Sequence, residues 1–257
     1  MTTVKQHAPG SVTWVDLMTP DIEGARRFYG ELFNWKFSVG PAETGHYTMA
    51  KVDGDNVAGM GQMQPDSPFP STWTVYFGSR DVEAAAARIR ELGGQVMFGP
   101  MDVMQEGRML VAADPCGAVF GLWQPGAHQG AQRIDEPGAM CWREVNVRDV
   151  AAARGFYTAL LGLAARPMQA PGMTYETLHL GEATVGGMLQ MDANWPDSIP
   201  AHWMTYFAVD DVDAAAARVA NGGGKVYQPP FDTPYGRMSV VADPWGAVFS
   251  VMAMKRS

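Results

Sequence analysis

Cysteine and basic residues are scarce in this chain, and each shortage closes off a class of function. Two cysteines, Cys116 and Cys141, cannot make a disulfide framework, so a reducing compartment suits the chain better than an oxidising one. Only 19 Lys and Arg stand against 27 Asp and Glu, a net charge of -8. That balance argues against a nucleic-acid partner, whose phosphates need clustered positive charge. No apolar run approaches the thickness of a bilayer, so no membrane partner is expected. Met1–Gly10 carries one lysine, no apolar stretch and no small-residue cleavage pattern. The expectation is therefore no signal peptide and a soluble, cytoplasmic protein.

What is there points to packed domains. Hydrophobic residues make up 47% and charged ones 18%, enough apolar material for real cores, and 257 residues suit two compact units. Self-similarity then decides the organisation. Trp14-Val-Asp-Leu-Met-Thr-Pro-Asp21 returns as Trp142-Arg-Glu-Val-Asn-Val-Arg-Asp149, an offset of 142 − 14 = 128. Ala25-Arg26-x-Phe28-Tyr29 returns as Ala153-Arg154-x-Phe156-Tyr157 at the same offset. Asp81-Val82 with its four alanines matches Asp211-Val212 with four more, and Asp114-Pro-Cys-Gly matches Asp243-Pro-Trp-Gly. Four blocks in one order mean a duplication.

Each half reads as two smaller units. Val12–Met18 alternates as a strand does, and Asp21 caps a helix with Ile22, Ala25, Phe28 and Leu32 on one face. Tyr47–Val52 and Val57–Met63 read as strands joined by the turn Asp53-Gly54. The pattern restarts at Trp73–Gly78, with Asp81 as the next cap and Gly93-Gly94 as the stop. Val96–Phe98, Arg108–Ala112 and Ala118–Trp123 follow as strands. Pro65–Ser71 and Asp192–Ala201 are either rims of a site or ordinary connections.

These blocks resemble the vicinal-oxygen-chelate superfamily, which includes glyoxalase I, extradiol dioxygenases, fosfomycin-resistance enzymes and bleomycin-binding proteins. The resemblance rests on the paired βαβββ reading, the Asp-capped helix with Phe28-Tyr29, and Asp114-Pro-Cys-Gly before a strand. It covers residues 11–124 and 139–254, with 125–138 as a Gly- and Pro-rich linker. Within the superfamily the chain is most similar to tandem two-domain proteins of actinobacteria, some described as antigens and some as hydroxylases. The implied fold is α+β: two tandem glyoxalase-like domains, each of two βαβββ modules forming a curved mixed sheet, or cup. In dimeric relatives each cup combines strands of two subunits. A fused pair could build both cups in one chain, as a monomer with an internal pseudo-dimer or as a homodimer.

The resemblance also implies where metal ligands belong. The four positions hold Trp14 and Trp142, the neighbourhoods of Gly59-Met60 and Gly187-Met188, Thr74 and Met204, and Gly121 and Ser250. None is a good hard-metal donor, so no family-type metal centre and no cofactor is expected. Alternation along the strands turns Asp16 and Met18, Glu144 and Asn146, Tyr76, His202 with Tyr206, Trp123 and Met252 into the cups. Asp16 and Glu144 either are solvated at strand ends, or pair with Arg108 or Arg237, or work as proton-transfer groups in an apolar cup. His202 and Tyr206 are further acid–base candidates, and Trp14, Trp142, Tyr76, Met204, Trp123 and Ser250 candidate ligand contacts. A family-like exchange of strands between halves would bring Asp16 near His202. His202 has Thr72 as its counterpart, so the cups should differ and one be active.

Two classes of function lead, with a relic domain serving protein interaction as a third. The favoured one is a metal-independent enzyme of detoxification or small-molecule metabolism, a lyase, isomerase or hydroxylase-like catalyst acting on a small oxygenated or aromatic metabolite. The other is a protein of bleomycin-resistance type that sequesters a flat ligand between aromatic walls. A metal-dependent glyoxalase or dioxygenase reaction returns if the ligand register is misread. The ligand's identity is not written in the sequence.

Overall fold

The computed structural model describes residues 4, 6–170 and 172–255. The start of the segment read for a leader, residues 1–3 and 5, lies outside the described residues. The first half runs β1 (Val12–Thr19), α1 (Ile22–Phe33), β2 (Lys36–Val39), β3 (Thr48–Val52), β4 (Asp55–Gln62). It continues with β5 (Thr72–Gly78), α2 (Val82–Glu91), β6 (Gln95–Val103), β7 (Gly107–Ala113) and β8 (Val119–Pro125). The second half repeats the order as β9 (Met140–Val147), α3 (Val150–Leu161), β10 (Ala164–Ala170), β11 (Met173–Leu180) and β12 (Ala183–Gln190). Its second module is β13 (His202–Ala208), α4 (Val212–Asn221), β14 (Lys225–Thr233), β15 (Gly236–Ala242) and β16 (Val248–Met254). No helix among the described residues is long and apolar enough to cross a membrane.

Local chemistry explains the boundaries. All four α-helices among the described residues open on an aspartate whose side chain accepts a backbone N–H of the first turn: Asp21, Asp81, Asp149 and Asp211. The β3–β4 hairpin turns on Asp53 and Gly54, both at positive φ (48° and 91°), as a tight two-residue connection requires. The short strand β2 went unread in the sequence because it is mostly exposed and carries no alternation.

Each half closes into one eight-stranded mixed sheet, ordered β2-β3-β4-β1-β5-β8-β7-β6 and β10-β11-β12-β9-β13-β16-β15-β14. The two modules of a half join through their first strands, which pair antiparallel. The opposite faces of the two sheets share a single core: Val15, Leu17 and Val75 belong to the same cluster as Val145, Phe207 and Val251. Trp73 meets Phe207 at 4.9 Å between ring centres, and Phe77 meets Trp203 at 5.1 Å. Reciprocal hydrogen bonds lock the arrangement. The Tyr29 hydroxyl donates to Asp243 at 3.0 Å and the Tyr157 hydroxyl to Asp114 at 2.9 Å, each tyrosine reaching into the other half. The Phe-Tyr and Asp-Pro-x-Gly repeats are thus the clasp between halves. With the sheets back to back, the two cups look away from one another.

This corrects the expectation of exchanged strands. Asp16 lies opposite Thr74 and Gly59 of its own half, whereas His202 lies opposite Asn146 of the other half. Pairing of β1 with β5, and of β9 with β13, occupies the edges through which the first strands of the modules would be exchanged between halves.

Candidate functional site

The strand registers bring the site residues together in rows. In the first cup Trp14 opposes Tyr76, which neighbours Gly121, while Asp16 opposes Thr74 and Gly59. In the second, Trp142 opposes Tyr206, which neighbours Ser250, while Glu144 opposes Met204 and Gly187. Each row lies on one face of its sheet, because neighbours across a ladder point the same way. All four positions assigned to family ligands therefore converge in each cup.

The centre of each cup is a carboxylate held by tyrosines. In the second cup Tyr175 donates to Glu144 Oε2 at 2.8 Å and Tyr206 to Oε1 at 2.7 Å, while Trp142 Nε1 donates to the Tyr175 hydroxyl at 3.0 Å. The first cup repeats it: Trp14 Nε1 donates to Tyr47 at 3.0 Å, and Tyr47 to Asp16 Oδ2 at 3.1 Å. Tyr76 approaches the same carboxyl group, yet Asp16 Oδ1 is buried without a well-formed hydrogen bond. Burial pushes the Asp16 carboxyl up to about 7, with the tyrosines pulling it part of the way back. Burial raises Glu144 too, opposed by Tyr206, Tyr175 and Trp142 in that order. All four tyrosines are themselves pushed up, first by burial and then by the neighbouring carboxylate, so they stay protonated as donors. Neither Arg108 nor Arg237 reaches these carboxylates. Arg108 pairs with Glu83 and Asp102, and Arg237 with Asp213 and Asp232, all at the surface.

Tyr47 and Tyr175 escaped the sequence reading, although 175 − 47 = 128 is the repeat offset. Their companions are Gly59 and Gly187. A β-carbon at either glycine would overlap the tyrosine hydroxyl, so the bare strand is what admits the ring. At Gly121 a β-carbon would likewise overlap the Tyr76 ring.

The cups are not equivalent. The linker packs over the first: the His128 ring lies 4.4 Å from Trp14 and 5.6 Å from Trp123, edge-on to both, and its carbonyl accepts from Trp123 Nε1. Ala131 N donates to Thr13 O at 2.8 Å, and Arg133 clamps Asp55 and Asp53. Trp14 is 4% exposed as a result, whereas its counterpart Trp142 remains half-buried. At the mouth of the second cup the exposed Tyr235 reaches Met168 from the opposite edge of the sheet. His202 does belong to that cup. Both its nitrogens are engaged, however, with Asn146 at 3.1 Å and the Pro200 carbonyl at 2.8 Å, not with Glu144. Met60 and Met188 turn away from the cups into the shared core.

Two crevices of about 530 and 550 Å³ also lie at the seam of the halves, related by the repeat and floored in part by Leu161 and Leu32. Neither includes a buried polar side chain left without a partner.

A two-fold βαβββ sheet with these cups defines the vicinal-oxygen-chelate class, and the family model of the Glyoxalase/Bleomycin resistance protein/Dioxygenase superfamily matches residues 11–122 and 138–251. The chain belongs to that family. It is 40% identical over 253 residues to CFP32, a candidate glyoxylase of Mycobacterium tuberculosis, spanning 96% of each chain. It is 38% identical over 262 residues to the anthracycline biosynthesis protein DnrV of Streptomyces peucetius, spanning 96% of this chain and 94% of that one. In fold it is similar to an Mn(II)-bound glyoxalase from Novosphingobium aromaticivorans, with a TM-score of 0.64 at 17% identity over 95% of this chain and 82% of that one. The 2,3-dioxygenase LapB from Pseudomonas sp. KL28 matches with a TM-score of 0.64 at 14% identity, over 100% and 94%.

Such relatives imply a divalent ion, and the residues present do not fit one. The converging positions offer indole, bare backbone, thioether and hydroxyl groups, a set that does not suit a hard cation. The tyrosine hydroxyls fill the space beside Gly59 and Gly187 from which a ligand side chain would extend. Among the described residues no three His, Cys, Asp or Glu side chains gather to hold a metal.

Proposed function

We propose that the chain acts in small-molecule metabolism, binding a flat aromatic or oxygenated compound in the second cup and exchanging a proton with it through Glu144. The observation that carries this reading is the Glu144 carboxylate: buried, paired with no Lys or Arg among the described residues, and held at both oxygens by tyrosine hydroxyls. Burial moves such a group toward the pH at which it both takes and returns a proton, and each oxygen keeps a lone pair for the substrate. Tyr175 and Tyr206 fix the carboxylate and offset the charge it carries when ionised. Trp142, Met204 and Met252 supply the apolar wall, and Ser250 a hydroxyl beside Tyr206. The likeness to an anthracycline biosynthesis protein agrees with an aromatic, oxygenated ligand.

A test is deuterium wash-in at the acidic methylene of 2-tetralone in D2O, followed by NMR. Exchange above the buffer rate, insensitive to chelator and lost in Glu144→Gln, is the expected result. Exchange that needs an added divalent ion would overturn the reading. Saturable binding with no exchange would instead favour sequestration, the second reading, which the aromatic and methionine walls support.

A further inference from the structure

The second cup contains a buried acceptor that no described residue satisfies. Asn146 is 1% exposed, and its Oδ1 has no hydrogen-bond partner among the described residues. It stands two residues beyond Glu144 on β9, on the same face, and so looks into the same cup. A buried amide oxygen left without a partner is costly, and a folded chain rarely tolerates one without a use.

Which end of the amide is left without a partner follows from His202. Its Nδ1 lies 2.8 Å from the Pro200 carbonyl, which can only accept, so Nδ1 carries the proton. Burial pushes the imidazole below its ordinary range, against the pull of that carbonyl, and keeps it neutral. Its Nε2 is then a bare lone pair, and the Asn146 group 3.1 Å away must be the NH2 donor. The amide is pinned with its nitrogen on His202 and its oxygen left without a partner among the described residues. His202, read from the sequence as an acid–base group, is a positioning residue.

Resting on the assignment of the second cup as the ligand site, we infer that Asn146 selects ligands presenting a neutral hydroxyl, a phenol or enol O–H, from a flat apolar body. A hydroxyl has one proton for one acceptor. An ether of the same body has no proton to give and would set two acceptors face to face at this position. The first cup cannot make this selection, because Met18 and Thr72 stand where Asn146 and His202 do.

The test compares 2-naphthol with 2-methoxynaphthalene, which differ by one methyl cap, in calorimetric titrations of the full chain. The wild type should bind the naphthol about tenfold tighter or more. Asn146→Leu should bring that ratio close to one, by weakening the naphthol, relieving the clash with the methoxy compound, or both, and His202→Phe should shrink it. Equal binding of both probes by the wild type, or a ratio that survives Asn146→Leu, would overturn the inference while leaving the cup as a binding site. Binding of neither probe would overturn both. Nitrogen-15 NMR of His202 supplies a ligand-free check on the same chain: the expected signature at neutral pH is a protonated Nδ1 and a bare Nε2. A charged ring or the reverse tautomer would turn the amide oxygen onto His202 and overturn the inference.

Discussion

Gly187 gives Tyr175 its place: the hydroxyl that donates to Glu144 at 2.8 Å lies over the bare α-carbon of the neighbouring strand. Gly187→Ala should therefore destabilise the protein by about 1–3 kcal/mol, as overpacking does. In a double-mutant cycle read by urea denaturation, most of that cost should vanish in a Tyr175→Leu background. Full additivity of the two changes would mean that glycine and tyrosine do not share the space.

Asp16 should make stability fall as pH rises. Its folded value of about 7 lies above the ordinary 3.8, chiefly through burial. Between these values the folded state holds a proton that the unfolded state has lost. Its stabilisation is complete below about pH 4 and is gone above about pH 7, an effect on the order of 4 kcal/mol. Subtracting the pH–stability curve of Asp16→Asn from that of the wild type isolates this slope. A flat difference curve would place the carboxylate in contact with water.

His128 should act with the opposite sign. Burial, helped by His7, pushes it down from 6.5 to about 4. Across that window the unfolded state binds the extra proton, so stability rises with pH by something on the order of 3 kcal/mol. His128→Gln should flatten this rise. Persistence of the full slope would show that the linker's ring does not seal the first cup.

Tyr206→Phe removes a donor that favours the charged form of Glu144. The carboxyl should then titrate at higher pH, and the pH at which the exchange reaction switches on should move up with it. The carbon-13 shift of the Glu144 carboxyl reports the titration independently of turnover. An unmoved midpoint would contradict the tyrosine's role.

Much of this was legible in the strands. Offsets of the repeat and alternation along β1, β5, β9 and β13 place Trp14, Asp16, Tyr76, Trp142, Glu144, His202 and Tyr206 in the cups where they stand. What escaped had non-local causes. Tyr47 precedes its strand by one residue, and its partner Gly59 lies on the next. That pairing shows only as a tyrosine and a glycine repeating together at 128 residues. The linker's hold on the first cup depends on Arg133, His128 and Ala131 meeting strands far from them in the chain, with no periodicity to announce it. The role of His202 turned on a proline carbonyl two residues before it.

If the second cup alone takes the ligand, calorimetric titration of 2-naphthol into the wild type and into Trp142→Ala should show it. One site per chain is expected, weakened about tenfold or more by loss of the indole wall. Two equal sites, or an affinity that Trp142→Ala leaves unchanged, would rule out the second cup as the single ligand site.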